Sequence, residues 1–208
     1  MHQPTRRAAV ALPLLALLAL LIPLTACGSG TGARISGDAR TVESPSEQSP
    51  AGQPPASEDP APTRVTIPSL GVDSALLPLG LNEDGTVEVP PAEQGMTAGW
   101  YTGGPAPGER GPAVIIGHND TRFGKAVFHD LRKLREGADI TVRNSADKAA
   151  HFTVTATETV GKKAFPTRKV YGATNTRALR LITCDGAFDA QGHPVDNLIV
   201  YAELDPAA

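Results

Sequence analysis

Apolar and polar positions fall into three successive regimes along the 208 residues. Residues 8–24 form a run of 17 without a charge, rich in Leu and Ala, behind Arg6 and Arg7. Residues 28–62 have no hydrophobic period: they carry six Pro, six Ser and five Gly, five acids against two arginines, and no aromatic residue. Such a segment buries too little apolar surface to offset its chain entropy, and it reads as a disordered linker whose use is reach. From Arg64 onward, short β-branched or apolar runs alternate with Gly, Pro, Asn and Asp. Strands are predicted over 64–67, 86–89, 113–117, 140–143, 152–160, 179–184 and 198–204. One stretch has helical spacing instead. Val127, Leu131 and Leu134 recur on one side with Phe128 beside them, Arg132, Lys133 and Arg135 fall opposite, and Gly137 is a stop. The pattern predicts a mostly β domain over residues 63–208, a barrel or sandwich with one or two short helices, long enough to build a real core.

The front run ends in Leu24-Thr25-Ala26-Cys27. A short basic start, an apolar middle and small residues before a cleavage point read as an export signal over residues 1–26. The order Leu, Thr, Ala, Cys resembles the lipobox of bacterial lipoproteins. That resemblance implies a diacylglyceryl group on Cys27, which becomes the new N-terminus, and two acyl chains suffice for stable anchoring. The competing reading is an uncleaved anchor, although 17 residues are short for a span of ~20 and Pro13 and Pro23 interrupt them. Either way the remaining chain, linker 27–62 included, is expected on the extracellular face of the cytoplasmic membrane, tethered to it.

Composition narrows the chemistry. A net charge of −3 gives no basic footprint for nucleic acid. Two cysteines, Cys27 and Cys184, exclude a four-cysteine metal site and allow one disulfide at most. All nine aromatic residues lie from Trp100 onward, on the folded side of the linker. Among the histidines, His118 stands out: it follows the apolar run at 113–117 and precedes Asn119-Asp120, which puts an imidazole at the rim of a sheet. A hydrogen-bonded surface histidine would look the same. Cys184 closes the run 179–184 before Asp185-Gly186, with Ile182 on its own face and Leu181 and Thr183 on the other. It reads either as a buried, hydrophobe-like thiol or as a nucleophile. An ordinary thiol is only a few per cent ionised at neutral pH, so a nucleophilic cysteine needs an imidazole to take its proton and later return it to the leaving amine. A metal site built from His118, Asp120, His129 and Asp130 has no ligand spacing to support it.

Gly117-His118 at the end of one apolar strand and Leu181-Ile182-Thr183-Cys184 at the end of another resemble the two signature strands of sortases, the cysteine transpeptidases of Gram-positive cell surfaces. Thr66-Ile67-Pro68, Leu79-Gly80-Leu81, Asp84-Gly85-Thr86, Ala98-Gly99-Trp100-Tyr101, Pro107-Gly108, Ala126-Val127-Phe128, Thr183-Cys184-Asp185-Gly186 and Asp196-Asn197-Leu198-Ile199-Val200-Tyr201 extend the likeness over roughly residues 62–204. The compact class F sortases of actinobacteria are the most similar class. The resemblance implies an eight-stranded sortase-type β-barrel, a monomer, with His118 and Cys184 together at the end of a groove. It implies cleavage of a Thr–Gly-like bond in a C-terminal sorting signal, a thioacyl intermediate on Cys184, and transfer to a peptidoglycan-precursor or pilin amine. No metal or organic cofactor follows from it. One position departs: sortases carry an arginine near the start of the last strand, for substrate and oxyanion, where this chain has Asn197, and no arginine follows Arg180. An amide donates without charge, and charge-assisted bonds are about twice as strong. Arg180 would sit ~13 Å along the strand from Cys184, and Arg122 is the other substitute in reach of the His118 loop. Reduced or altered transpeptidation is therefore expected, with a non-catalytic sortase-fold binding module as the alternative. A Cys–His peptidoglycan hydrolase usually has the cysteine first, the reverse of the order here.

Overall fold

The computed structural model describes residues 60–192 and 194–206. The apolar run at 8–24, Cys27, the linker up to residue 59 and His193 lie outside the described residues. Eight strands close into a barrel. They are β1 (Pro62–Ile67), β2 (Val72–Leu79), β3 (Ala98–Tyr101), β4 (Gly111–Ile116), then, after a small outlying hairpin of β5 (Asp120–Thr121) and β6 (Gly124–Lys125), β7 (Asp139–Asn144), β8 (Ala149–Gly161), β9 (Arg177–Phe188) and β10 (Pro194–Leu204). Around the barrel the order is β1-β2-β3-β4-β9-β10-β8-β7, with β7 returning to β1. The β2–β3 and β4–β9 pairs are parallel and the others antiparallel. Among the described residues the one α-helix is α1 (Thr167–Tyr171), in the β8–β9 connection.

All six residues of β4 are buried. A strand covered on both faces reads as a continuous apolar run instead of an alternation, which is why residues 113–117 stand out in the sequence. Inside the barrel, Ala113 and Ile115 of β4 meet Leu179 and Leu181 of β9, Leu198 and Val200 of β10, and the large rings of Trp100 and Phe152. Outside it, Val114, Ile116, Ile182, Ile199 and Tyr201 form a second apolar layer. Val170 of α1 covers that layer and is fully buried.

Three expectations need correction. The run 86–89 is not a strand: Val87 makes a single bridge to Leu81. A tight turn held by Asn82 and Asp84 folds this segment back on itself, Glu88 takes the Gly80 N–H, and Pro90-Pro91 end any ladder. The stretch 127–134 is a series of turns ending in a 3-10 helix, Leu131–Lys133. Its spacing still buries Val127, Phe128, Leu131 and Leu134. The Val127 and Phe128 amides, however, donate to Gly95 and His118 rather than up a helix. The barrel strands β2 and β3 carry no clear alternation, broken as they are by Pro78 and Gly99, and were not among the predicted strands.

Candidate active site

The site grows from the register of β4, β9 and β10. Ile116 pairs with Ile182, and Ile182 with Ile199. Two residues on, Cys184 pairs with Asn197. The Gly117 N–H donates to the Ile182 carbonyl at 3.1 Å, so the parallel ladder runs one residue past β4, and Asn119 Nδ2 donates to the Cys184 carbonyl at 3.1 Å, which ties the loop that carries His118 to the Cys184 peptide. The outer face of these strands thus holds three rows: Val114, Arg180 and Tyr201; Ile116, Ile182 and Ile199; and Cys184 with Asn197, at the end where the chain leaves β4 through His118. Because β9 directs the Ile182 and Cys184 carbonyls toward β4, Cys184 and Asn197 form a pair without mutual backbone hydrogen bonds, the arrangement that brings side chains closest.

His118 leaves β4 because the chain must turn there. A Cβ at Gly117 would fall 2.6 Å from the Phe128 ring and 2.7 Å from Val127, so only glycine lets the strand end pass under those side chains. The Phe128 N–H donates to the His118 carbonyl at 2.9 Å and the Ala126 N–H to the Asn119 carbonyl at 3.0 Å, which fixes the loop. The His118 Nε2 lies 2.7 Å from the Pro90 carbonyl oxygen. A carbonyl only accepts, so Nε2 carries a proton and Nδ1 is the nitrogen free to take another. His118, Cys184 and Asn197 are all half-buried. Cys184 does not end its strand, as the sequence suggested; β9 continues to Phe188. Among the described residues Cys184 has no disulfide partner.

Charge around the row is paired. Asp185, buried at 5% exposure, accepts from Arg132 on one oxygen and from Thr159 Oγ1 at 3.3 Å on the other. Neither arginine considered as a substitute donor is at hand. Arg122 pairs with Glu93 and lies over the Phe123 ring. Arg180 donates to the Leu179 and Ala202 carbonyls and stacks on Tyr201, and burial lowers its pKa from the usual arginine value. Of the other histidines, His129 contacts Asp120 at 2.9 Å and Asp130 at 3.9 Å, and His151 contacts Thr141. Among the described residues no three His, Cys, Asp or Glu side chains are arranged to hold a metal ion. A cleft of about 480 Å³, lined by Tyr101, Phe165, Tyr171 and Pro112, opens at the far end of β4 from His118 and so is not where the thiol lies. Pro90, Asn119 and Arg132 were not legible as site residues. Pro90 contributes only a backbone oxygen, and the other two act on partners far away in sequence.

The family model for the sortase domain matches residues 65–205. No curated protein matches. Among solved structures, sortase C-1 from Actinomyces oris is 22% identical with a TM-score of 0.55, over 72% of this chain and 76% of that one. A lid mutant of sortase A from Corynebacterium diphtheriae is 21% identical with a TM-score of 0.55, over 71% and 73%. Sortase C2 of pilus island 1 from group B Streptococcus is 22% identical with a TM-score of 0.53, over 69% and 73%. These likenesses establish the barrel, and with the domain match over most of the chain they identify it: the protein belongs to the sortase family, whose members are cysteine transpeptidases.

Proposed function

We propose that this sortase is a membrane-tethered, extracellular transpeptidase of the compact class F type. It cleaves a Thr–Gly-like bond in a C-terminal sorting signal and transfers the acyl group to a cell-wall or pilin amine. The observation that carries the reading is the pairing of Cys184 with Asn197 across β9 and β10, with the loop of His118 bonded to the Cys184 carbonyl through Asn119.

In this reading the Cys184 thiol gives its proton to Nδ1 of His118 while Nε2–H stays on the Pro90 carbonyl. The sulfur attacks the scissile carbonyl carbon and the oxygen takes the charge. Asn197, across from Cys184, offers its amide N–H to that oxygen. Collapse breaks the C–N bond, and the imidazolium returns its proton to the departing amine. The acceptor amine then attacks the thioacyl carbon, His118 takes the amine's proton, and the expelled sulfur recovers it as a thiol.

The test incubates the full chain with a sorting-signal peptide and hydroxylamine. An acyl adduct on Cys184 by mass, and a peptide hydroxamate, are expected. Absence of both, with Cys184 labelling no faster than for a free thiol, overturns the reading. A second reading has its own support: Asn197 is neutral, and Arg122 and Arg180 are engaged elsewhere. A sortase-fold binding module would bind the peptide and form no adduct. Anchoring through a lipid on Cys27 is tested separately: lipid label taken up by the parent and lost in Cys27→Ser supports it, and a membrane-bound parent that takes up no label excludes it in favour of an uncleaved span.

A further inference from the structure

The β4–β9 ladder loses its backbone donor where the catalytic row begins. In a parallel pair, the N–H groups of one strand serve carbonyls of the other at two-residue steps. Gly117 N–H serves the Ile182 carbonyl, and the next rung would join Asn119 N–H to the Cys184 carbonyl. That bond is not formed, because the chain turns away here: the His118 and Asn119 carbonyls accept from the Phe128 and Ala126 N–H groups as it enters the β5–β6 hairpin. The rung is made instead by a side chain: Asn119 Nδ2 donates to the Cys184 carbonyl at 3.1 Å. The residue next to the histidine is thereby joined to the peptide of the cysteine, between segments 65 residues apart.

We propose that Asn119 is a positioning residue that holds the Cys184 strand end against the His118 loop by replacing the ladder bond the backbone gives up. It touches neither the thiol nor the imidazole. It sets the distance between them, while the Pro90 carbonyl sets the orientation of the ring. Three segments, residues 90, 118–119 and 184, are thus fixed to one another by two hydrogen bonds, both ending on backbone oxygens. The amide is required because only a donor suits a carbonyl, and asparagine has the short reach. The inference rests on the pairing of His118 with Cys184 proposed above.

The test is a double-mutant cycle read on thiol reactivity, so that it needs no substrate. Reaction of the full chain with 2,2′-dipyridyl disulfide is followed by mass on the Cys184 peptide, which separates it from Cys27. In the parent, His118→Ala changes the Cys184 rate by ~10-fold or more; in the N119L background the same change is expected to fall to about twofold, the sign of a lost coupling. Asn119→Asp adds a readout that a merely structural role would not move. At neutral pH its carboxylate faces the Cys184 carbonyl without a donor, and at acid pH the protonated carboxyl donates again. Its His118 coupling, relative to the parent, is therefore expected to return as the pH falls, whereas that of N119L stays flat. If N119L does not fold, N119D at neutral pH takes its place in the cycle. An undiminished His118 effect in both backgrounds overturns the role of Asn119. No His118 effect in the parent overturns the pairing and this inference with it. A parent that shows the coupling but turns over no peptide leaves Asn119 in place and counts only against the transpeptidase reading.

Discussion

The first and third rows on the outer face of β4, β9 and β10 are built from similar materials and serve opposite ends. At the first, Arg180 pairs with Tyr201, whose hydroxyl donates to Glu158 at 2.9 Å, and Lys169 of α1 donates to the same carboxylate oxygen at 2.5 Å. Lys169 and Arg180 both lie over the Tyr201 ring. Lys169 and Glu158 form an ion pair there, Arg180 donates to the Leu179 and Ala202 carbonyls, and the cluster fastens α1 to the barrel. At the third row, four residues along each strand, Cys184 and Asn197 face each other, and the bonds that hold His118 and Asn119 end on backbone. Hydrogen bonding at one end consumes the side chains. At the other it leaves a sulfur and a ring nitrogen available. One strand face supplies a buttress and an open end because the side chains of one row bond to and stack on one another, while the bonds at the other leave its sulfur and ring nitrogen unengaged.

The contrast can be broken most sharply at the thiol. Cys184→Ser is expected to lower peptide turnover by ~10⁴-fold or more with peptide affinity retained, since a hydroxyl without a strong base is a poor nucleophile; turnover within tenfold of the parent would remove the row's chemistry. His118→Ala follows, with a loss of ~10²–10⁴ in kcat, measured with saturating peptide. Asn197→Arg sharpens the comparison by adding the charge that the row lacks: a rise of about tenfold in kcat/KM is expected from a charge-assisted oxyanion bond, and Asn197→Ala should move it in the other direction. The smallest effect belongs to the buttress. Glu158→Gln should cost about 1 kcal/mol, or a Tm lower by a few degrees for a domain of this size, with kcat unchanged within twofold. It should also alter the pH dependence of stability. Hydrogen bonds from Lys169 and Tyr201 hold the Glu158 carboxyl below its usual range. A depressed pKa gives stability that is present above the unfolded value and lost as pH falls through the folded one. Urea melts of the parent should therefore weaken below the ordinary carboxylate range more steeply than those of the variant. The effect is moderated because the carboxylate is 36% exposed.

How much of this was legible in the sequence follows from which interactions are local. The continuous run of β4 and the branched runs of β7, β8, β9 and β10 read as strands because burial and β-branching are written residue by residue. The spacing of Val127, Leu131 and Leu134 marked the buried face correctly, but the secondary structure was misread because amides of that segment are claimed by Gly95 and His118. β2 and β3 went unread: their parallel pairing needs partners from a distant loop, and Pro78 and Gly99 blur their period. His118 and Cys184 stood out in the sequence because each ends an apolar run, whereas Asn197 stood out only through the resemblance, at the position of the family's arginine. That Asn197 is the direct cross-strand neighbour of Cys184 needed the register. Asn119 and Pro90 left no mark, since what matters is a backbone oxygen 65 residues from the first and a ring 28 residues from the second.

The parallel pairing of β4 with β9 has a temporal meaning as well. Contacts so distant along the chain form late, because a long loop must be closed before any of them is rewarded. A nascent chain presents His118 first, Cys184 much later and Asn197 last, and the final strand must still slot between β8 and β9. The arrangement of these side chains is thus a product of completed folding. An incompletely folded chain, or one clipped within β10, carries the same cysteine without its neighbours, so the candidate site is assembled by its own topology.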